Sequence, residues 1–375
     1  MRKLTVVGGG LGGLVAAITA AERGAAVTLH EARSVLGGRW RTTAPPYVAH
    51  DGPHVIYSDG PIWAWLKQRR LLGSTRSVPI SALAHFHFRT GGQLKRMPPP
   101  ALVRTLMSRI QAPVDQSYAE WATGRFGEEA ARLSAAATGV GLFYWNPGEL
   151  SAAFVWERLH RVFSMPPAAG YREGGWGSML DALGKYARDL GVSIELGSRV
   201  SEIGDGITIV ATEIESARAL LGDTSLDWLS GKVSQLDLGL AADRRDAFVV
   251  SDLDESGWLE RFTVPDPSIA PAGESLLQLQ VPLAPRESRQ SGISRIEGLA
   301  DAALPNWRER VRFRRDAVSN RRTGALDLPG TTWRDRPAID RGHGVYLVGD
   351  RVAAPGLLSE VSFNSAIAAA TSAVK

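Results

Sequence analysis

The chain has no cysteine in its 375 residues. That absence excludes disulfides, thiolate metal sites and a cysteinyl bond to a prosthetic group. Long hydrophobic runs are missing too, and no stretch approaches the ~20 apolar residues of a membrane span. A glycine-rich segment begins almost at Met1 and leaves no room for a signal peptide, so a cytoplasmic location is the expectation. Lysine is scarce and arginine supplies most of the positive charge. The net charge of +4 is mild, and no localised basic stripe carries a reading motif, so no nucleic-acid partner is expected. Attraction to an anionic membrane surface, as a peripheral contact, stays open. Internal repeats and low-complexity tracts are absent. What remains, 44% hydrophobic and 22% charged, is an ordinary globular composition long enough for two domains.

The most informative stretch runs from Lys3 to Arg41. A β-branched run, Leu4 to Val7, breaks at Gly8, Gly10 and Gly13. An alanine-rich amphipathic segment follows to Arg23, and a second apolar run, Ala26 to Leu29, closes at Glu31. Strand, glycine turn, helix, strand and acid in that order make a dinucleotide site out of an otherwise weak G-x-G-x-x-G match. Gly8 allows the turn, Gly10 the approach of a pyrophosphate, and Gly13 the packing of helix on strand. The helix start, at Leu11 and Gly12, offers free N–H groups and partial positive charge. Glu31 stands where a carboxylate accepts both ribose hydroxyls, and it would repel a 2′-phosphate. NAD and FAD both remain open on these residues.

The continuation Glu31-Ala32-Arg33, then Gly37-Gly38-Arg39-Trp40, resembles the extended fingerprint of FAD enzymes that include amine oxidases, protoporphyrinogen oxidases and phytoene desaturases. The resemblance implies FAD, with Gly38, Arg39 and Trp40 beyond the first phosphate turn. Ala49-His50-Asp51-Gly52-Pro53-His54 resembles the element beside the isoalloxazine ring in phytoene desaturase-like enzymes, which puts Gly52, Pro53 and His54 at the flavin edge. Tyr171 to Leu180 resembles their glycine turn, and Asp266-Pro267-Ser268-Ile269-Ala270-Pro271-Ala272-Gly273 their "D-P-S-x-A-P-x-G" loop. Val200 takes the place of a valine whose backbone pairs with adenine. Gly349-Asp350 ends a strand as in these proteins, with the aspartate receiving a ribityl hydroxyl. Leu358, Val361 and Ser362 open the final helix, whose amides would face the flavin pyrimidine ring.

The fold expected is α/β: a Rossmann-like FAD-binding domain with an inserted α+β substrate domain, a mixed sheet under a helical roof. The FAD domain is expected from residues 1–75, 172–225 and 335–375, and the substrate domain from 76–171 and 226–334. Helical periodicity marks an insertion over 101–167. Leu142-Phe143-Tyr144-Trp145 reads either as core or as the wall of a substrate tunnel. The alternating Arg308, Arg310, Arg312, Arg314, Arg315 reads as the solvated face of an edge strand. His85 and His87 share a strand face but have no third ligand nearby, so no metal is expected.

The activity this implies is hydride transfer from a largely apolar small molecule to flavin N5, with oxygen, a quinone or another acceptor reoxidising the flavin. His54 and Glu360 are the candidate catalytic residues. Glu360 reads either as a carboxylate favoured by the helix dipole or as a group facing substrate. An amine oxidase is the alternative, although Lys185 and Lys232 fall outside an obvious place beside the flavin. A redox-neutral isomerase needing reduced FAD is another.

Overall fold

The computed structural model describes residues 2–52 and 55–375. Among them the strands form three sheets. The first is parallel throughout, with strands Val345–Leu347, Ile207–Val210, Lys3–Val7, Ala26–Glu31 and Ser193–Leu196 lying in that order. Numbered along the chain and read from the other edge, that order is 3-2-1-4-5. It is the doubly wound Rossmann arrangement, whose ligand crevice opens at the strand C-termini where the order reverses. Val6 and Leu29 are wholly buried in it, as strands covered on both faces require.

Helix Leu11–Ala21 packs on this sheet and against the final helix, Ser359–Ala373, which also touches strands Ile207–Val210 and Val345–Leu347. Small side chains let the two helices approach closely: Ala16, Ala17 and Ala20 belong to the same core as Ala366, Ala369, Ala370 and Ala373. The first and last helices of the chain are thereby packed together over the nucleotide-binding sheet.

The second sheet has seven strands, in the order Val311–Asn320, Lys232–Ala241, Glu274–Pro282, Gly257–Arg261, Val249–Asp252, Phe86–Thr90 and Gln93–Lys95. One face is apolar. Leu236, Leu238, Leu240, Leu277, Leu279 and Val281 pack there against Ile293, Ile296 and Leu299 of helix Arg289–Ala303. A hairpin turns about Gly91-Gly92, but His85 and His87 do not share a strand face, because Leu83 to His85 belong to a 3-10 turn, Ile80–His85, before the strand begins. A short sheet of Val55–Tyr57, Ala169–Arg172 and Thr75–Ser77 joins the two regions.

Helices Pro100–Met107, Tyr118–Phe126, Glu128–Ala137 and Ala152–Val162 make the helical part. Ser117 and Glu120 form a reciprocal capping box at the start of the second of these. Leu142 and Tyr144 lie in the core of these helices, Phe143 is buried, and Trp145 is exposed. That cluster is therefore mainly packing, and the tunnel-wall reading gains nothing from it. No helix among the described residues is long and apolar enough to cross a membrane.

Candidate functional site

The glycine turn has the geometry its sequence implies. Gly8 leaves the first strand at φ +109°, in the region only glycine enters freely, and its N–H donates to the His30 carbonyl at 2.8 Å. A Cβ on Gly13 would overlap the Gly8 carbonyl oxygen, so helix and strand touch only because Gly13 has no side chain. At Gly10 the nearest atom to such a Cβ is the Gly38 Cα at 3.9 Å, and the space above the helix start stays clear. Gly37 N–H donates to the Gly9 carbonyl at 2.8 Å, stitching the second glycine pair to the first turn. The helix starts at Leu11 with no side-chain cap and no acid in its first turn. Its N–H groups are thus left for an anion. Gly12 has another purpose: a Cβ there would lie 2.8 Å from Val348 and 3.5 Å from the Ser362 carbonyl, so it lets the final helix approach.

Glu31 ends the second strand and is half-buried. Its carboxylate accepts N–H bonds from Gly9 at 2.8 Å and Arg33 at 2.9 Å, which hold it beside the glycine turn. Ala32 and Arg33 are exposed. Val200 is half-buried in the loop after strand Ser193–Leu196, where Ser198 N–H donates to the Glu31 carbonyl at 2.9 Å and Gly197 N–H to that of Arg33 at 2.8 Å. Glu31 and the Val200 loop are brought together.

Arg39 reaches the far end of the chain. Its Nη1 donates to Asp350 at 2.5 Å and to the Arg322 carbonyl at 2.7 Å. Asp350 follows Gly349 just beyond the last parallel strand, and its carbonyl accepts from Ala325 N–H at 3.1 Å. Gly349 N–H donates to Ser365 of the final helix at 3.2 Å. Leu358 caps that helix with φ +51°, and Val361 and Ser362 follow in its first turn. Trp40 differs from the rest: its side chain is buried and stacks on Trp176 at 4.5 Å, so only its backbone is left to face a cofactor.

Glu360 is buried in the same first turn, and burial pushes its carboxyl up from the usual range. Its Oε2 accepts the Leu357 N–H at 3.1 Å. That contact makes it the helix's own N-terminal carboxylate, the first of the two readings the sequence left open. Around it lie Tyr57, pushed up to about 12 by burial, and Arg161, which stacks over the Tyr57 ring at 4.0 Å and pairs with Asp59.

Pro53 and His54 lie outside the described residues. The loop before them is held by side chains that sequence reasoning missed. The His50 carbonyl accepts from Arg315 Nη2 at 2.6 Å, Gln235 at 2.9 Å and Gln278 at 3.1 Å. Arg315 also pairs with Asp51 at 2.8 Å and with buried Asp237 at 2.7 Å. Arg315, Asp237, Gln278 and Glu260 stand opposite one another on four adjacent strands, so the face away from the apolar core carries a buried polar row. Tyr171 extends it, donating to Glu260 at 2.5 Å. Arg315 thus faces inward and Arg310 pairs with buried Asp246, which corrects the solvated-face reading for two of the five arginines. His50 itself is buried, and its Nε2 accepts the Trp176 N–H at 3.0 Å. Asp266 accepts the Gly174 N–H at 2.9 Å, so the proline-rich loop steadies the same glycine turn. Gly52 is half-buried at the end of this loop.

In sequence, residues 6–69 match the family described as NAD(P)-binding Rossmann-like domain. No curated protein matches the chain. Solved structures match it nearly end to end. An oxidoreductase from Methanosarcina mazei is 18% identical with a TM-score of 0.78, over 98% of this chain and 99% of that one. Cyclohexylamine oxidase from Brevibacterium oxydans is 15% identical with a TM-score of 0.73, over 100% and 98%. The chain shares the fold of these oxidoreductase and amine oxidase structures. Reduced UDP-galactopyranose mutase shares it too, at 16% identity and a TM-score of 0.74 over 99% and 95%.

Proposed function

We propose that the protein is an FAD-dependent oxidoreductase of desaturase or dehydrogenase type, acting on a largely apolar small molecule. The observation that carries this reading is the Arg39–Asp350 pair, which joins the fingerprint to the strand end and helix that would complete a flavin site. The residues present fit FAD. The clear space above Gly10 suits a pyrophosphate, Glu31 and the Val200 loop suit the adenosine, and Arg39 with Asp350 suits the ribityl side.

Bound FAD would supply the hydride acceptor. The chain's own part is to bind and orient. Helix Leu11–Ala21 would present its first N–H groups to the phosphates, and helix Ser359–Ala373 would offer its positive end to the flavin ring. Arg315, Gln235 and Gln278 hold the His50–Asp51 loop, and His54 follows four residues after His50. Glu360 serves as a helix cap in this reading, which leaves His54 as the candidate for a proton-handling group.

Anaerobic bleaching of the flavin against polyenes, amines and porphyrinogens tests the reading. Loss of the oxidised flavin band with one class is the expected result. Protein that takes up no FAD would overturn it, as would unchanged FAD affinity in Glu31→Arg for the ribose contact. The fold shared with reduced UDP-galactopyranose mutase favours one second reading, a redox-neutral isomerase. Anaerobic turnover sustained by catalytic reductant would select it.

A further inference from the structure

Where helix Ala152–Val162 begins, the Asp327 carbonyl accepts the Ser151 N–H at 2.9 Å, and two buried arginines, Arg158 and Arg336, stand near this one buried acid. Arg336 and Asp327 form a two-pronged pair at 2.9 and 2.8 Å, with side chains only 1% and 5% exposed. Asp327 also accepts the Trp228 indole N–H at 3.2 Å, so its oxygens are well occupied. Arg158, on helix Ala152–Val162, has a side chain just 5% exposed and feels both of these charges.

Arg158 has weak compensation of its own. Its Nη1 donates to the Phe154 carbonyl at 3.0 Å and to Glu157 at 3.2 Å, and the Glu157 side chain is 62% exposed to solvent. The guanidinium also lies 3.3 Å over the Phe154 ring. Its Nε and Nη2 donate to no group among the described residues. Arg336 Nη1, fully buried, has no partner among them either. A planar guanidinium with uncommitted N–H groups matches a carboxylate or phosphate, and burying such a cation without a dedicated acid is unfavourable until an anion arrives. Burial pulls Arg158 down to about 10, with Glu157 opposing and Arg336 adding to the fall.

The position ties this cluster to the flavin side. Arg158 acts electrostatically on Tyr57, as Glu360 of the final helix does, and Arg161 of the same helix covers the Tyr57 ring. Asp59 is taken by Arg161 and Glu360 by the Leu357 N–H, so neither acid is committed to Arg158.

We propose that Arg158 and Arg336 form an anion subsite that holds a carboxylate or phosphate group of the substrate. That this anion belongs to a substrate rests on the oxidoreductase reading; anion binding itself does not. The rest of the molecule can stay apolar, with this one charged group fixing which end enters.

Thermal midpoints of the purified protein, at constant ionic strength, test the subsite with sodium benzoate, its neutral isostere benzamide and inorganic phosphate. A saturable rise with benzoate or phosphate and none with benzamide is expected, and the tighter of the two anions names the group. Arg158→Gln should weaken that anion at least tenfold and keep or raise the midpoint in its absence. Exposed Arg132→Gln should leave the anion response unchanged. Should Arg158→Gln fail to fold, Arg158→Lys carries the test, with a dissociation constant raised at least fivefold. No anion-selective response, or an equal response in the variants, overturns the subsite. Flavin bleaching by neutral and anionic analogues alike also overturns it while sparing the oxidoreductase. Anion binding to a protein that no substrate bleaches has the reverse effect.

Discussion

Arg39 and Asp350, 311 positions apart, meet in an ion pair of 2.5 Å. Burial works against both charges. Asp350, with Glu213 and Glu215, more than restores the Arg39 guanidinium, and Arg39 holds the Asp350 carboxyl below its ordinary value. The pair closes the ring between the start and the end of the chain around the proposed flavin.

Asp350→Ala should therefore act on both stability and cofactor. Arg39 keeps only the Arg322 carbonyl, but its side chain is 36% exposed, so water softens the loss to about 1–3 kcal/mol. Flavin retention through gel filtration should fall at least tenfold, to be read from the absorbance ratio. Full retention would remove Asp350 from the site.

Two glycines of the fingerprint should fail in different ways. Gly13→Ala forces a Cβ into the Gly8 carbonyl and should cost about 3 kcal/mol, since a packed strand and helix must separate. Gly10→Ala meets nothing nearer than 3.9 Å, so the fold should survive with a near-normal melting temperature. Its methyl group would instead occupy phosphate space, and FAD titration should show the loss. A Gly10→Ala protein that binds FAD normally would displace the phosphate from this turn.

His50 should give stability a pH signature. Burial, then Arg315, hold its imidazole well below the ordinary value, against the opposing pull of a bond to the Val48 backbone. The unfolded chain therefore takes up a proton first. Stability is fully present above pH ~6.5 and falls with acidification below it, by up to about 1.4 kcal/mol per pH unit until the folded value is reached. Denaturant titrations of wild type and His50→Gln at pH 7.5 and 5 check this, because the difference cancels the buried carboxyls. An identical pH slope in both proteins would show that His50 titrates normally.

The polar row should behave as one unit. Arg315→Met leaves buried Asp237 with amide donors only, and Asp237→Leu leaves Arg315 with Asp51 and the His50 carbonyl. Each should be destabilised by about 2–4 kcal/mol. The double variant should be more stable than the sum of losses implies, with a coupling of roughly 1–3 kcal/mol. Simple additivity would mean that the two side chains do not support each other.

The nucleotide half was legible because each piece announces itself locally. Gly8 to Gly13, Glu31 and the Gly349-Asp350 strand end sit where the sequence places them, and the Ser117–Glu120 cap is visible in four residues. The polar row was hidden for a physical reason. Alternating Gln235, Asp237, Gln278 and Gln280 has the pattern of a strand with one wet face, and only tertiary packing shows that face covered by the His50–Asp51 loop. Arg315 was masked by its exposed neighbours, since an alternating arginine run reads as solvent until its acid partners are located. Arg158 and Arg336 come from distant helix and loop segments, and no spacing connects them.

The final strand and helix carry a further consequence for synthesis of the protein. The fifth parallel strand, Val345–Leu347, and the helix Ser359–Ala373 that packs on the first helix are translated after every strand of the seven-stranded sheet. The seven-stranded sheet can assemble while these are still to come, but the nucleotide sheet stays one strand short. The proposed flavin site then forms only once helix Ser359–Ala373 has been made, and nascent protein has to keep the apolar back of helix Leu11–Ala21 out of trouble until that helix arrives.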